Sequence, residues 1–280
     1  MLELLKSIFI GIVQGITEWL PVSSTGHMIL FNEFVHLKVT DAFFEMFLVV
    51  IQFGSILAVL FLYFSKLNPF SKAKTPEMRQ KTWTLWFKVV VAVIPSGVIG
   101  VLFDDWFDAH FYNYITVAIA LIVYGIAFIL IERRRNGRHQ MESSVYDISY
   151  KTAFFIGIFQ ILSIIPGTSR SGSTIIGAML LGLSRTSAAE FSFFMAIPTM
   201  LGASVLKIAK YVLEGNALLN GQEWSILIAG CVTAFVVSLF AIKALMRYVR
   251  SHSFSAFGIY RIVLGVLVLA YFFITNFVLA

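Results

Sequence analysis

The chain has 280 residues, of which 59% are hydrophobic and 13% are charged, and its formal net charge is +6. An average soluble domain carries about 25% charged residues, so a soluble fold could not hide this much apolar surface. The mean hydropathy of +0.86 points the same way. The composition therefore excludes an ordinary soluble domain and predicts an integral membrane protein. The single cysteine, Cys231, excludes a disulfide framework within the chain and any cysteine-based metal site.

The first apolar region, 7–31, is interrupted at 20–26 by proline, serine, threonine and glycine. A spanning helix needs about 20 mostly apolar residues, and this region is too polar at its centre to cross as one helix. Irregular backbone at membrane depth is tolerated only where protein or a watery cavity covers it. We therefore predict a re-entrant helix-loop-helix hairpin, which enters the membrane and returns on the same side.

Apolar runs of spanning length follow in order, together with a second interrupted region that is broken at 165–172. The predicted elements are spans 42–64, 84–103 and 114–132, a re-entrant hairpin at 152–183, and spans 187–210, 224–245 and 257–278. The predicted fold is an all-α integral membrane protein with six spanning helices and two re-entrant hairpins.

The two interrupted regions resemble each other. The matches are Gly11–Gln14 with Gly157–Gln160, Pro21–Ser24 with Pro166–Ser169 after one residue is dropped, and Glu45 with Glu190. Because the later spans also pair in order, we interpret the chain as a duplication with repeats 1–140 and 141–280.

The loop charges predict the topology. The 65–83 and 133–151 loops are rich in Lys and Arg, whereas the 104–113 loop holds three aspartates, Asp104, Asp105 and Asp108, and neither Lys nor Arg. The positive-inside rule places basic loops in the cytoplasm, so these clustered charges indicate topology rather than nucleic-acid binding. The first hairpin then enters from outside and the second from the cytoplasm. Since each repeat has three spans, the repeats are inverted, and such repeats place a site near the midplane where the hairpin tips meet.

The first candidate constellation lies in the first hairpin. Gln14 and Glu18 are four residues apart, so they share one helix face, and an ionisable residue inside a membrane segment is a functional candidate. The alternative is that Glu18 contacts water at the interface. Pro21 ends the incoming helix, and Ser24 and His27 are spaced so that a hydroxyl nucleophile could meet an imidazole base. The alternative is a capping serine and an interfacial histidine. Ser23 and Thr25 are predicted to support the site.

The second constellation is the small-residue run 166–174, which opens into an apolar helix. Helix N-termini bind anions, and the guanidinium of Arg170 is a planar fork suited to phosphate oxygens. The predicted phosphate-binding residues are Gly167, Thr168, Ser169, Arg170, Ser171, Ser173 and Thr174. The alternative is a structural pair between Arg170 and Glu18 or Glu190.

Several other charged residues lie in or beside apolar segments. Glu45 and Glu190 could hold a cation, orient Arg170 or pair structurally. Arg185 and Arg261 fall near predicted cytoplasmic helix ends, where snorkelling of a long side chain to the interface explains an arginine.

Together these motifs resemble the bacterial undecaprenyl-diphosphate phosphatases, the bacitracin-resistance family. The resemblance rests on Gln14-x3-Glu18 and the runs 21–27 and 166–172, with support from 182–185, 190–193 and 259–261. It covers nearly the whole chain. The family's first motif has Glu or Gln at its first position, so Gln14 puts in doubt any scheme that needs two carboxylates there.

The resemblance implies hydrolysis of undecaprenyl diphosphate to undecaprenyl phosphate and phosphate, and hence bacitracin resistance. It implies Glu18, Ser24, His27 and Arg170 as essential residues, and dependence on a divalent cation, Mg2+ or Ca2+. We expect Glu18 and Gln14 to bind this cation or a water. We expect Ser24 to attack phosphorus with His27 as base, although direct attack by water stays open. The implied location is the bacterial plasma membrane, among membrane lipids and with the site facing outside; the oligomeric state, including a homodimer, stays open.

A transporter that flips the lipid phosphate is the main rival, because inverted repeats with broken helices are typical of transporters. A membrane lipid phosphatase of the acid-phosphatase type is disfavoured, because Arg170 is not followed by a histidine six residues later.

Overall fold

The computed structural model describes residues 1–32, 34–111, 113–135, 144–216 and 218–277. Within these residues the regular structure is helical and contains no strand. The helices are α1 (Leu2–Thr17), α2 (Ser24–Asn32), α3 (Asp41–Leu62), α4 (Phe64–Leu67), α5 (Pro76–Phe111), α6 (Tyr114–Arg135), α7 (Tyr150–Ile161), α8 (Arg170–Leu180), α9 (Arg185–Leu213), α10 (Gly221–Val249) and α11 (Ser255–Phe277). The boundary predicted at residue 140 falls outside the described residues.

Six helices are long and apolar enough to cross a membrane, and they match the six predicted spans: α3, α5, α6, α9, α10 and α11. Both ends of α5 were predicted wrongly, since it begins at Pro76 rather than at 84 and ends at Phe111 rather than at 103. The segment 104–111 was predicted as part of a loop, but α5 continues to Phe111. Neither glycine nor proline follows Gly100 to stop this helix, and Trp106 packs on the rings of Phe107 and Phe111. The side chains of Asp104, Asp105 and Asp108 lie outside the described residues.

Large hydrophobic side chains cover the outside of this helical bundle. Phe61 and Phe240 are 69% and 70% exposed, and Phe87, Leu102 and Phe273 are also exposed. A soluble monomer rarely shows such extended apolar surface, because water penalises it. The exposed apolar surface therefore agrees with a multi-pass protein whose solvent is lipid.

The two interrupted regions are two pairs of short helices, α1 with α2 and α7 with α8. At a rise of about 1.5 Å per residue, the 9 residues of α2 and the 11 of α8 are too short to cross a bilayer core of about 30 Å. The chain turns between the members of each pair. We call residues 18–24 the first tip and residues 165–171 the second tip. Their re-entrant placement in a bilayer stays a prediction.

The two halves pack reciprocally. Helix α1 packs against α10, and α7 packs against α5, the corresponding span of the other half. Glycines allow both contacts, since a Cβ at Gly11 would meet the carbonyl of Gly230 and a Cβ at Gly157 would meet the carbonyl of Ala92. This exchange agrees with a duplication, whereas the inversion across a membrane stays a prediction.

The local match of the repeat was wrong by one residue. Ser23 and Ser169 have φ of 72° and 71°, the only positive values among described residues other than glycine. Both serines cap the helix that follows: the N–H groups of Gly26 and Gly172 donate to the Ser23 and Ser169 Oγ atoms at 3.2 and 3.1 Å. Ser23 therefore corresponds to Ser169, and no residue is dropped after Gly11 and Gly157. The predicted alignment had paired Pro21 with Pro166, whereas the two capping serines define the correct alignment of the repeats.

Candidate active site

The two tips are bonded directly to each other. The Ser171 hydroxyl donates to the main-chain carbonyl of Glu18 at 3.1 Å and approaches that of Leu20 at 3.4 Å. The first residue of α8, Arg170, forms an ion pair with the Glu18 carboxylate at 3.1 Å. The structure thus brings together the two constellations that the sequence suggested separately.

A second arginine, from another helix, also links the two tips. Arg261, on α11, is completely buried and donates to the carbonyls of Pro21 at 3.2 Å, Gly167 at 2.8 Å and Thr168 at 2.9 Å. Its guanidinium also lies over the ring of Tyr124. The prediction that Arg261 snorkels to an interface was wrong, because backbone carbonyls of both tips provide its partners inside the protein.

We expect Arg261→Ala to lower the free energy of unfolding by at least about 2 kcal/mol, since three buried carbonyls would lose their donor. Thermal unfolding of the purified full chain in detergent measures this effect. Arg247→Ala is the matched control, because Arg247 is exposed near the end of α10. Equal melting temperatures for the Arg261 variant and the wild type would contradict the assigned role.

Glu18 is the hub of the site. It is 5% exposed and follows the last residue of α1. Its Oε1 faces Arg170, while its Oε2 accepts from the Gln14 amide at 2.9 Å and from the Ser24 hydroxyl at 3.0 Å. Gln14 and Glu18 thus share a helix face as predicted, and the side chain of Glu18 is buried among site residues rather than at an interface.

Arg170 is held on three sides. Besides Glu18, its Nη1 donates to the carbonyl of Ser192 at 2.8 Å, and its guanidinium lies 5.7 Å from the ring centre of Trp19. Trp19 is in turn fixed edge-to-face against Phe193. The side chain retains 10% exposure, so the guanidinium is oriented in advance but still reachable. The structural Arg170–Glu18 pair that the sequence left as an alternative is present, and Glu190 takes no part in it.

His27 is placed differently from the predicted pair with Ser24. Its Nδ1 lies 2.7 Å from the Ser23 carbonyl, and its Nε2 lies 2.6 Å from the Tyr260 hydroxyl. Because a carbonyl only accepts, Nδ1 carries the hydrogen, and in the neutral ring Nε2 accepts from Tyr260. Both nitrogens therefore hold partners other than Ser24, whose hydroxyl donates to Glu18.

Only part of the predicted phosphate loop faces the accessible side. Ser169 and Arg170 are partly exposed, whereas Gly167, Thr168, Ser171, Ser173 and Thr174 are buried. Two of the buried hydroxyls bond to the backbone of their own loop: Thr168 donates to the Leu162 and Ile165 carbonyls, and Thr174 to that of Arg170. Across the gap, Ser24 and Thr25 are partly exposed. The partly exposed polar residues of this region that an anion could reach are therefore Ser24, Thr25, Ser169 and Arg170.

The two supporting acids lie away from the tips. Glu190 pairs with Lys66 at 2.7 Å, and Glu45, which is 64% exposed, pairs with Lys207 at 2.8 Å. Of the roles that the sequence left open, structural pairing is the one that the geometry shows.

Arg185 was also predicted to snorkel, and this prediction was wrong. It forms a bidentate pair with the buried carboxylate of Glu132, at 2.9 Å for Nε and 2.5 Å for Nη2. The same carboxylate accepts from the N–H of Phe254 at 2.9 Å. This pair therefore ties α6, α9 and the start of α11 together.

The described residues contain no cluster of three or more His, Cys, Asp or Glu side chains that could hold a metal alone. Glu18 is the one carboxylate at the tips, beside the amide of Gln14 and the hydroxyl of Ser24. Mg2+ is commonly bound by one or two carboxylates together with substrate phosphates and water. The donor set therefore fits a cation that is shared with a phosphate ligand, rather than a protein-only metal site.

Sequence reasoning missed Tyr260, Arg261, Ser192 and Trp19 as parts of the site. Tyr260 and Ser192 entered the sequence analysis only as supporting matches to the family, in the runs 259–261 and 190–193, and Arg261 was otherwise predicted to snorkel. Those runs were the available signal, since Tyr260 lies 233 residues from His27, and Arg261 lies 240 residues from Pro21 and 93 from Thr168.

The fold and the site together define a multi-pass, all-α membrane protein in which a buried ion pair and hydrogen bonds join two helical tips. The family model described as bacitracin resistance protein BacA matches residues 7–267. The chain belongs to this family.

Curated relatives named undecaprenyl-diphosphatase are similar over nearly the full length. A protein of Streptococcus pyogenes serotype M5 (strain Manfredo) is 58% identical over 273 residues, 98% of each chain. One of Streptococcus suis (strain 05ZYH33) is 57% identical over 275 residues, 98% of this chain and 99% of the relative. One of Streptococcus thermophilus (strain ATCC BAA-250 / LMG 18311) is 56% identical over 271 residues, which are 97% of this chain and 94% of the relative.

Proposed function

We propose that this chain hydrolyses undecaprenyl diphosphate to undecaprenyl phosphate and inorganic phosphate. Through this reaction it recycles the carrier lipid for cell-wall synthesis and confers bacitracin resistance. The observation that carries the proposal is the shared carboxylate of Glu18, which joins the Ser24 hydroxyl of one tip to the Arg170 guanidinium of the other. The relatives at 56–58% identity, named for this reaction, supply the substrate.

The geometry supports a two-step displacement. The Ser24 oxygen attacks the terminal phosphorus, its proton passes to Glu18, and the bond to the bridging oxygen breaks to release undecaprenyl phosphate. Water then attacks the phosphoserine and releases phosphate. Glu18 replaces His27 as the assigned base, because Ser24 already donates to Glu18 at 3.0 Å.

Arg170 has the complementary role. When the diphosphate binds, the guanidinium turns from Glu18 to the phosphate oxygens, while Ser24 keeps its hydrogen bond to Glu18. Charge that develops on the phosphoryl oxygens is then met by a donor already fixed by Ser192 and Trp19. Preorganised donors of this kind supply most of the acceleration in phosphoryl transfer.

We also propose that Mg2+ or Ca2+ binds at Glu18 and Gln14 together with the diphosphate. The cation would neutralise phosphate charge. Within the protein, Gln14 orients Glu18 through its amide, and Ser24 supplies a neighbouring oxygen.

The purified protein in detergent should release phosphate from undecaprenyl diphosphate, and EDTA should abolish the release until Mg2+ or Ca2+ is restored. A lipid flippase without this activity would release none, yet would move labelled lipid phosphate across vesicles. Phosphate release that persists in EDTA would contradict the proposed cation but would still support the proposed hydrolysis.

We further propose that the site faces the outside of the plasma membrane. The positive-inside rule places the basic 65–83 loop in the cytoplasm. A cavity of about 220 Å³ flanks the opposite, outward end of α2, between Met28 and Asn32, and is also lined by Tyr114 and Phe272. Because Met28 is the neighbour of His27 on α2, we propose this cavity as the lateral entrance for the lipid. A homodimer stays a prediction.

A membrane-impermeant maleimide should label Thr25→Cys in intact cells, in a Cys231→Ser background. Thr25 is partly exposed on α2, directly after the first tip, so outward access predicts labelling that undecaprenyl diphosphate slows. Labelling only after the cells are opened would reverse the proposed orientation.

A further inference from the structure

A second, unrelated cavity lies at the opposite end of the molecule. It has a volume of about 680 Å³ and lies between the end of α3, the short α4 and the start of α5. Aromatic side chains dominate its lining: Phe64, Phe70, Trp83, Trp86 and Phe87. The volume is typical of small-molecule sites, which measure roughly 300–1,000 Å³. None of these residues belongs to the tips.

The cavity opens sideways, toward lipid. Phe64, Phe70 and Phe87 are 63%, 73% and 58% exposed, so they form the mouth rather than a closed core. Trp83 and Trp86 lie at the beginning of the apolar stretch of α5, where interfacial tryptophans are typical. With α5 placed as a spanning helix, the cavity would extend from headgroup level into the hydrocarbon region, which suits an acyl chain.

The chain segment that joins two of the lining residues, Phe70 and Trp83, is strongly basic, and we take it as the rim of the cavity. The segment 65–83 holds five Lys or Arg residues and one acid, Glu77. Lys81 pairs with Glu77, and Lys66 pairs with Glu190 on α9. The rim therefore retains three cations that have no carboxylate partner among the described residues: Lys72, Lys74 and Arg79.

These three cations keep donors for a ligand. Lys72 is exposed, and its side chain has no partner in the part of the chain that the structure describes. Lys74 donates to the Lys66 carbonyl and to Thr82, which leaves a third N–H, and Arg79 uses Nε on Ser71. These hydrogen bonds hold Lys74 and Arg79 in place, although no carboxylate among the described residues neutralises their charge.

We propose that this cavity binds one anionic phospholipid of the cytoplasmic leaflet. An acyl chain lies among the aromatic side chains, and the phosphate lies against Lys72, Lys74 and Arg79. A zwitterionic lipid carries its own cation beside the phosphate and would lose much of this attraction. The charge of the rim therefore selects a lipid with a net negative headgroup. This site is separate from the proposed hydrolysis.

Tryptophan quenching by brominated lipids tests the site in the full chain. A Trp106→Phe/Trp224→Phe variant retains Trp83 and Trp86 at the cavity, together with the buried Trp19. Vesicles would contain either brominated phosphatidylglycerol or brominated phosphatidylcholine at rising mole fraction. We expect half-maximal quenching at a severalfold lower mole fraction of phosphatidylglycerol.

That preference should disappear in K72Q/K74Q/R79Q and persist in the matched control R247Q/R250Q, which removes two exposed cations at the end of α10. Thermal melting curves of both variants would check that they are folded. Equal quenching by the two lipids in the parent protein would overturn the proposal, since it indicates ordinary bilayer contact only. A preference retained in the triple variant would overturn the assigned headgroup contacts.

Discussion

Arg170→Ala is expected to lower kcat/KM for phosphate release at least about 100-fold, the loss typical of removing one preorganised donor to a developing oxyanion. The structure gives the reason. Arg170 begins α8, faces Ser24 across Glu18, and is fixed by the Ser192 carbonyl and the Trp19 ring. Its loss therefore removes a positioned charge rather than a flexible one. Initial rates with purified protein in detergent measure the effect.

The same change leaves the Glu18 carboxylate buried without its cation, which can also destabilise the fold. Arg170→Lys separates the two effects, because it keeps the charge but lacks the planar fork. We expect it to fold normally and to stay at least about tenfold impaired. Arg250→Ala, an exposed arginine at the end of α10, is the control. A folded Arg170→Ala protein with most of its activity would exclude Arg170 from the site.

Ser24→Ala should be close to inactive, with kcat lowered at least about 1,000-fold, as for other nucleophiles that act within a catalytic unit. The hydroxyl is partly exposed and makes one hydrogen bond, to Glu18 at 3.0 Å, so the change should hardly affect stability. Single-turnover phosphate release with enzyme in excess would detect a slow residual reaction.

Ser251→Ala, which removes an exposed hydroxyl far from the tips in sequence, is the matched control for Ser24→Ala. In the wild type, acid quenching with substrate labelled in the terminal phosphate should trap label on Ser24. Substantial turnover by the alanine variant, with no trapped label in the wild type, would favour direct attack by water on the same site.

The fold was largely predictable because lipid imposes simple rules. Runs of about 20 apolar residues identified all six spans, and polar interruptions identified both tips. The end of α5 was not predictable from charge, since aspartates at 104, 105 and 108 continue a helix as readily as they form a loop. The register of the repeat was predicted wrongly because the two prolines were aligned with each other. The correct alignment follows from the helix caps Ser23 and Ser169, whose left-handed backbone conformation is visible only in three dimensions.

The site was predictable in part. Glu18 and Arg170 could be chosen because a charge within an apolar segment needs a partner. The contacts of His27 could not be predicted. The spacing of three residues brings His27 near Ser24, but it does not reveal that the Ser23 carbonyl and the Tyr260 hydroxyl occupy the two ring nitrogens. Arg261 was hidden for another reason: its partners are main-chain carbonyls, which carry no signature in sequence.

An experimental structure of the purified protein with bound orthovanadate tests the central claim most directly, because vanadate mimics a phosphoryl group in transfer. The account predicts one vanadate between the two tips, with its vanadium bonded to or facing Ser24 Oγ and its oxygens about 3 Å from the Arg170 guanidinium. Vanadate bound elsewhere, with Ser24 and Arg170 facing separate cavities, would contradict a single site shared by both tips.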